Sequence, residues 1–287
     1  MHPLFSRLLT CAIALCSLAL TSCTTPPYFP DKKISANPAQ VGLNYEPVSF
    51  KTSDGVALSA WFVPAPKPRA TVLFCHGNAG NISDQIDRIT LYHNLDLNVL
   101  VFDYRGYGKS HGRPSEQGLY RDAEAAWTWL TAKRHIPAEN IVVIGHSLGG
   151  PVAAHLAARR RPGALVLEST FTSMDDEVAA KAANLPVGSL VKGDFQTADF
   201  ISKVHCPLLV VHSTQDTLVP YALGRQIFKR AKAPKQFLEI TGTHNDGFLT
   251  SGGTYTAGFE WFLNTYMLRA ESKSLDRNER LSEGTQP

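Results

Sequence analysis

The run Gly145-His146-Ser147-Leu148-Gly149 sets a serine between two glycines, directly after an apolar β-branched stretch and before a series of small residues (Gly150, Ala153, Ala154, Ala157, Ala158). The pattern G-x-S-x-G is weak alone; a strand–turn–helix context gives it meaning. A turn that sharp needs glycine on either side to avoid clashes, and it holds the serine at its apex. The following helix aims its N-terminal amides and partial positive charge at that apex. A glycine-rich turn with an incidental serine is the bland alternative.

A serine hydroxyl is barely ionised at neutral pH, so a nucleophilic role requires a base. His244, in Thr241-Gly242-Thr243-His244-Asn245-Asp246, is the only histidine downstream of Asp216 and follows the last strand-like run. A neutral surface histidine is the competing reading. His146 adjoins the serine but is expected to point away from it, and His93, His135 and His155 fall in or at the ends of helical stretches. Asp216, just beyond the run 208–211, is the acid expected to orient the imidazole and stabilise its cation. Glu168, closing the run 165–167, is the other candidate. A tetrahedral intermediate needs two aligned donors for its oxyanion. The amide of Leu148 is expected to supply one, and the loop Cys75-His76-Gly77-Asn78-Ala79-Gly80-Asn81 the other, at Asn78.

Such segments meet only where strands lie side by side with their carboxyl ends on one edge. Extended candidates are 48–52, 58–63, 71–75, 99–103, 141–144, 165–167, 208–211 and 237–240. From the third onward they are almost continuously apolar, as parallel strands covered on both faces are. The first two are joined by Ser53-Asp54-Gly55, a hairpin signal that predicts an antiparallel edge. Helical stretches at 83–95, 115–133, 148–159, 221–230 and 254–267 alternate with the strands, which predicts an open α/β sheet with its ligand site at the strands' carboxyl ends. The stretch 169–199 breaks the rhythm and carries Phe171, Met174, Val178, Leu185, Val187, Leu190 and Phe195. It is expected to be either a short lid or a helix packing on the core.

The order Ser147…Asp216…His244, the turn around the serine and the His-Gly loop resemble the α/β-hydrolase superfamily, over roughly residues 45–267. The segments His76-Gly77-Asn78-Ala79-Gly80-Asn81 and Asp103-Tyr104-Arg105-Gly106-Tyr107-Gly108-Lys109-Ser110 resemble its compact serine hydrolases, the palmitoyl-protein-thioesterase-like and monoacylglycerol-lipase-like enzymes among them. The resemblance implies an eight-stranded, mostly parallel sheet with helices on both faces and an Asp103 loop that shapes the edge of the site. It implies a serine hydrolase that cleaves an ester or thioester of an apolar acyl group through an acyl enzyme and without a cofactor. The absence of a large cap domain separates this chain from larger-capped relatives and their substrates. An acyltransferase on the same scaffold and a non-catalytic tethered binding protein are the alternatives, since fold does not fix function.

The N-terminus reads as an address. Thirteen uncharged residues from Leu8 to Leu20 follow His2 and Arg7; at about 1.5 Å per residue they fall short of a ~30 Å hydrocarbon core. They are expected to be a signal-peptide core. Leu20-Thr21-Ser22-Cys23 resembles the bacterial lipobox, which implies removal of residues 1–22, lipidation of Cys23 and, with Thr24 following, delivery to the outer membrane facing the periplasm. An ordinary signal peptide cut nearby is the alternative. Residues 23–44, with four prolines, read as a tether, 45–268 as the hydrolase domain, and 269–287 as a mobile polar tail. Cys75 and Cys206, at opposite ends of their strands, are expected to stay unpaired.

With 28 basic against 25 acidic residues, a net charge of +3 and no basic run, nothing favours nucleic acid as a partner. Gly108-Lys109-Ser110 mimics the end of a phosphate-binding loop, but Asp103 stands where the first glycine belongs and Pro114 delays the helix. No metal is expected, because no H-E-x-x-H and no Cys/His quartet occurs.

Overall fold

The computed structural model describes residues 28–181, 195–232 and 234–268. The expected signal peptide, Cys23, the middle of the insertion and the tail from 269 onward lie outside the described residues. Among the described residues are ten strands: β1 (Phe29–Pro30), β2 (Glu46–Lys51), β3 (Ala57–Val63), β4 (Ala70–Cys75), β5 (Ala79–Gly80), β6 (Leu97–Phe102), β7 (Ile141–His146), β8 (Ala164–Glu168), β9 (Leu208–Ser213) and β10 (Lys235–Ile240). Eight of them form one sheet in the order β10-β9-β8-β7-β4-β6-β3-β2. Only β3 runs against both of its neighbours; all other pairings in this sheet are parallel. The hairpin expected at Ser53-Asp54-Gly55 joins β2 to β3, and Gly55 takes φ +83° in its turn.

Strands β4, β7, β8 and β9 are buried along their whole length, because helices cover both faces. Successive side chains of a strand point to opposite faces. In β4, Leu73 and Cys75 enter one core while Val72 and Phe74 enter the other. Helices α2 (Glu116–Thr128), α3 (Gly149–Arg160) and α6 (Tyr221–Arg230) close the first core with Leu119, Trp127, Val152, Leu156, Leu223 and Ile227. Helices α1 (Ile86–Asn94) and α8 (Gly252–Leu263), the latter preceded by the short α7 (Gly247–Thr250), close the second with Ile89, Tyr92, Tyr255, Phe259 and Phe262. Each large apolar side chain so buried contributes about 1.5–3 kcal/mol. Ser115 starts α2, as expected, accepting a hydrogen bond from the Gly118 amide.

The insertion after β8 is anchored at both ends. Phe171 and Phe195 are buried in the first core, α4 (Met174–Lys181) follows Phe171, and α5 (Thr197–Ile201) packs against α3. Among the described residues no helix is long and apolar enough to cross a membrane.

Residues 28–44, expected as part of a free spacer, instead lie along the domain. Strand β1 pairs in parallel with β5, and Ile34 and Leu43 pack against the second core. The prolines that suggested a spacer suit this docked path equally well, because an extended edge segment needs few of its own amides.

Cys75 and Cys206 are free thiols, the first fully buried. Burial pushes both thiols up to about 12, so neither forms the nucleophilic thiolate near neutrality. In the native protein at about pH 8, iodoacetamide is expected to leave both unmodified by peptide mass mapping, and to modify both once guanidinium unfolds the chain.

Candidate active site

The chain leaves β7 and enters α3 through Ser147, whose φ of +53° lies in the left-handed region that a residue with a Cβ adopts only under constraint. Its amide donates to the Glu168 carbonyl at 3.0 Å, and its own carbonyl accepts from the Gly150 amide at 2.9 Å and the Thr170 hydroxyl at 2.7 Å. Both flanking glycines are required by space. A Cβ on Gly145 would stand 2.3 Å from the Gly149 carbonyl oxygen, and one on Gly149 would stand 2.0 Å from that of Cys75. Leu148 precedes the first residue of α3 and is buried, which puts its amide among the donors that a helix start leaves without an intrahelical partner.

His244 and Asp216 meet. The distance from His244 Nδ1 to Asp216 Oδ2 is 2.8 Å, with both residues buried. A carboxylate accepts, so Nδ1 carries the proton toward Asp216, which leaves Nε2 of the neutral imidazole free to accept one. Asp216 also accepts from the amides of Leu218 and Val219 at 2.9 and 2.8 Å. Burial favours its protonated form, but hydrogen bonds from His212 and His244 outweigh that and hold the carboxyl well below the usual carboxylate range. His212 donates through Nε2 to the Val219 carbonyl at 3.0 Å, with the same nitrogen 3.5 Å from Asp216 Oδ2. Sequence reasoning did not single out His212; its only signal is its place four residues before Asp216.

His146, expected to point away from the serine, reaches to the histidine loop. Its Nε2 donates to the carbonyl oxygen of His244 at 3.1 Å, and the two rings lie 5.0 Å apart. Burial, then the charges of Arg88 and His244, hold this imidazole well below its usual range, so it works as a neutral tie between the serine turn and the histidine loop. Among the described residues no hydrogen bond joins the Ser147 hydroxyl to His244. The two loops are joined through His146.

The loop after β4 reaches the same place. A Cβ on Gly77 would come within 3.2 Å of His146 Nδ1 and 3.6 Å of Ser147 Cβ, so this backbone packs closely against the serine turn. Two tyrosines of the Asp103 loop hold it. The Tyr104 hydroxyl donates to the His76 carbonyl at 3.0 Å, and the Tyr107 hydroxyl lies 2.8 Å from the Asn78 carbonyl and 2.9 Å from its Oδ1. Asp103 accepts from the amides of Ile82 and Lys109. The Asp103 loop therefore braces the His76–Asn78 backbone from behind. His76 is fully buried, and burial pulls its imidazole down to about 4. Among the described residues no group of His, Cys, Asp or Glu is placed to hold a metal ion.

Glu168 is turned elsewhere. It pairs with Arg88, accepts from the Tyr92 hydroxyl at 3.1 Å and from the Tyr255 hydroxyl, and lies on the α1/α8 side of the sheet. The Arg88 guanidinium stacks 4.1 Å from the Phe248 ring centroid. Arg88 and Tyr92, one helical turn apart, carry no motif that sequence reasoning could have read.

A family profile described as alpha/beta hydrolase fold matches residues 70–199. The chain is 38% identical to the Mycobacterium tuberculosis protein Rv2307c over 243 residues, 82% of this chain and 85% of that protein. It is 34% identical over 258 residues to the Arabidopsis thaliana alpha/beta hydrolase domain-containing protein WAV2, covering 82% of this chain and 83% of the relative. Among solved structures, the Pyrococcus furiosus esterase Pf2001 superposes with a TM-score of 0.72 at 22% identity, over 85% of this chain and 99% of the other.

Because Arg88 is buried and its charge is answered by Glu168, Glu168→Gln leaves an uncompensated guanidinium. Urea unfolding is expected to show a loss of about 3–5 kcal/mol, against about 1 kcal/mol or less if the pair were solvent-exposed.

Proposed function

The chain belongs to the alpha/beta hydrolase family, and from that premise we propose that it is a serine hydrolase of esters or thioesters of an apolar acyl group. One observation carries the reading: a serine held at φ +53° in a turn that His146 ties to the loop of a buried His244–Asp216 pair of 2.8 Å. In the proposed reaction the Ser147 oxygen bonds to the acyl carbon while its proton passes to His244 Nε2. The bond to the leaving oxygen or sulfur then breaks as that proton is returned to it. Water repeats the sequence on the acyl enzyme and releases the acid.

Asp216 orients the imidazole and answers its charge; with its carboxyl held well below the usual range, it stays ionised wherever His244 can act as a base. The amides of Leu148 and Asn78 are the proposed oxyanion donors. The close approach of Gly77 to Ser147 Cβ and the Tyr107 bonds at Asn78 support the second of these. Catalytic hydrogen bonds often form only once substrate is bound, and the proposed Ser147–His244 bond belongs to that complex. The esterase named among the structural neighbours supports ester chemistry. The apolar composition of the insertion 169–199 favours an acyl chain over a sugar or nucleotide. Cys23 is the proposed site of lipidation, with the enzyme held at the bacterial outer membrane facing the periplasm; the uncharged run 8–20 and the sequence Leu20-Thr21-Ser22-Cys23 support this.

A fluorophosphonate probe is expected to label the wild type and not Ser147→Ala. Asp216→Asn is expected to lower kcat on p-nitrophenyl esters about 10⁴-fold with the fold intact. Equal labelling of wild type and Ser147→Ala would remove Ser147 from its role. Metabolic palmitate is expected to label the wild type, whereas Cys23→Ser accumulates as an unlabelled protein; undiminished label in the variant would refute lipidation at that residue.

A further inference from the structure

The first described residues run across the loop proposed to hold the oxyanion. The Phe29 amide donates to Asn78 Oδ1 at 3.4 Å, and the Asp31 amide to the Gly80 carbonyl at 3.0 Å. The Asn81 side-chain amide returns two bonds, to the carbonyls of Asp31 and Lys33 at 3.2 and 2.7 Å. The Gly108 amide donates to the Asp31 carbonyl at 2.9 Å, and the Lys32 ammonium to that of Ser110. The strap is thus tied both to the His76–Asn81 loop and to the Asp103 loop that braces it.

Chain length then limits where an anchor can be. Cys23 precedes Phe29 by six residues, which span at most about 20 Å when fully extended. A lipid on Cys23 therefore holds the candidate site close to the surface it enters. The rim fits such a surface. Phe29 on the strap is 59% exposed, and Leu218, two residues past Asp216, is 49% exposed. Both stand on segments at the carboxyl edge of the sheet, and Leu218 is held outward on a loop whose amides are bonded to Asp216. Exposed Lys33 and Lys109 lie on the strap and the loop beneath it, while the Asp31 carboxylate is turned back onto the Lys33 amide. Apolar tips among cations suit an interface with anionic headgroups.

We propose that the carboxyl edge of the sheet, with the mouth of the site, faces the lipid surface that carries the N-terminus, and that acyl esters reach Ser147 from that surface. The proposal rests on the readings of Cys23 as the lipid-bearing residue and of Ser147 as the nucleophile. Its test is an orientation measurement on the full lipidated protein in mixed phosphatidylethanolamine–phosphatidylglycerol vesicles. An environment-sensitive dye is placed on Leu218→Cys, or on Glu139→Cys at the opposite edge of the sheet, in a Cys206→Ser background. Lipid-borne quencher is expected to extinguish the dye at 218 and spare the dye at 139.

A long Gly/Ser insertion after Thr25 is expected to restore fluorescence at 218 and to lower turnover of a vesicle-embedded ester, with turnover of soluble p-nitrophenyl butyrate unchanged. Equal quenching at both positions, no quenching at 218, or an insertion without effect on the embedded ester overturns the orientation. Intact quenching with no turnover of the soluble ester sinks the hydrolase reading and leaves the orientation standing.

Discussion

The left-handed backbone at Ser147 is the constraint on which the rest of the molecule depends. Such a conformation costs of the order of 1–3 kcal/mol and persists only where the surroundings over-determine it. Here they do. Strand β7 lies between β4 and β8 in the interior of the sheet, so the turn begins from backbone that cannot shift without breaking ladders on both sides. The Ser147 amide is held by the last residue of β8, and its carbonyl by Gly150 and Thr170. Gly145 and Gly149 let helix α3 close down until the backbone of β4 is in contact. The turn is therefore a property of three strands and a helix together, and the serine side chain takes its direction from all of them.

The loop opposite the serine obeys a different logic. Residues 76–81 contain the two-residue strand β5, and the loop is gripped by elements on both sides. The Tyr104 and Tyr107 hydroxyls hold it from behind and the N-terminal strap from beside. A hydrogen-bond donor preorganised for a developing charge is worth more than one that must reorient during the reaction. Two phenol hydroxyls rooted in the aromatic packing of His76, Tyr104 and Tyr107 give that rigidity without a charge that would compete with the proposed oxyanion.

Much of this was legible in residues alone. All eight strands of the main sheet stand within a few residues of where apolar or alternating runs predict them, the central ones because strands buried on both faces leave an unbroken hydrophobic signature. The meeting of His244 with Asp216 follows from both lying just beyond neighbouring parallel strands, β10 and β9. What was illegible has a common cause. The direction of the His146 ring, the grip of His212 on the Asp216 loop and the docking of residues 28–35 are settled by contacts between segments 7 to 98 positions apart that have no periodic pattern. A proline-rich stretch looks the same whether it hangs free or lies along an edge. The tyrosines were in view, inside the Asp103–Ser110 segment, but their partners were not.

The choice between two acids shows how sheet geometry outranks proximity. Strand β8 adjoins β7, and Glu168 sits in register with His146, whereas Asp216 belongs to a strand one place farther away. Nearness in the sheet favours Glu168. Alternation decides otherwise: a residue still within a strand must point to one face or the other, and the parity of β8 sends Glu168 into the layer of α1 and α8. There the cation of Arg88 and the hydroxyls of Tyr92 and Tyr255 use both of its oxygens. Asp216 lies three residues past the end of β9, where no ladder dictates direction, and the amides of Leu218 and Val219 can aim its carboxylate over the sheet's edge at His244. With one carboxylate neutralised beneath the sheet and the other directed above its edge, the negative charge that faces the proposed base is that of Asp216, and Glu168 is left to hold the strand end from which the serine turn is hung.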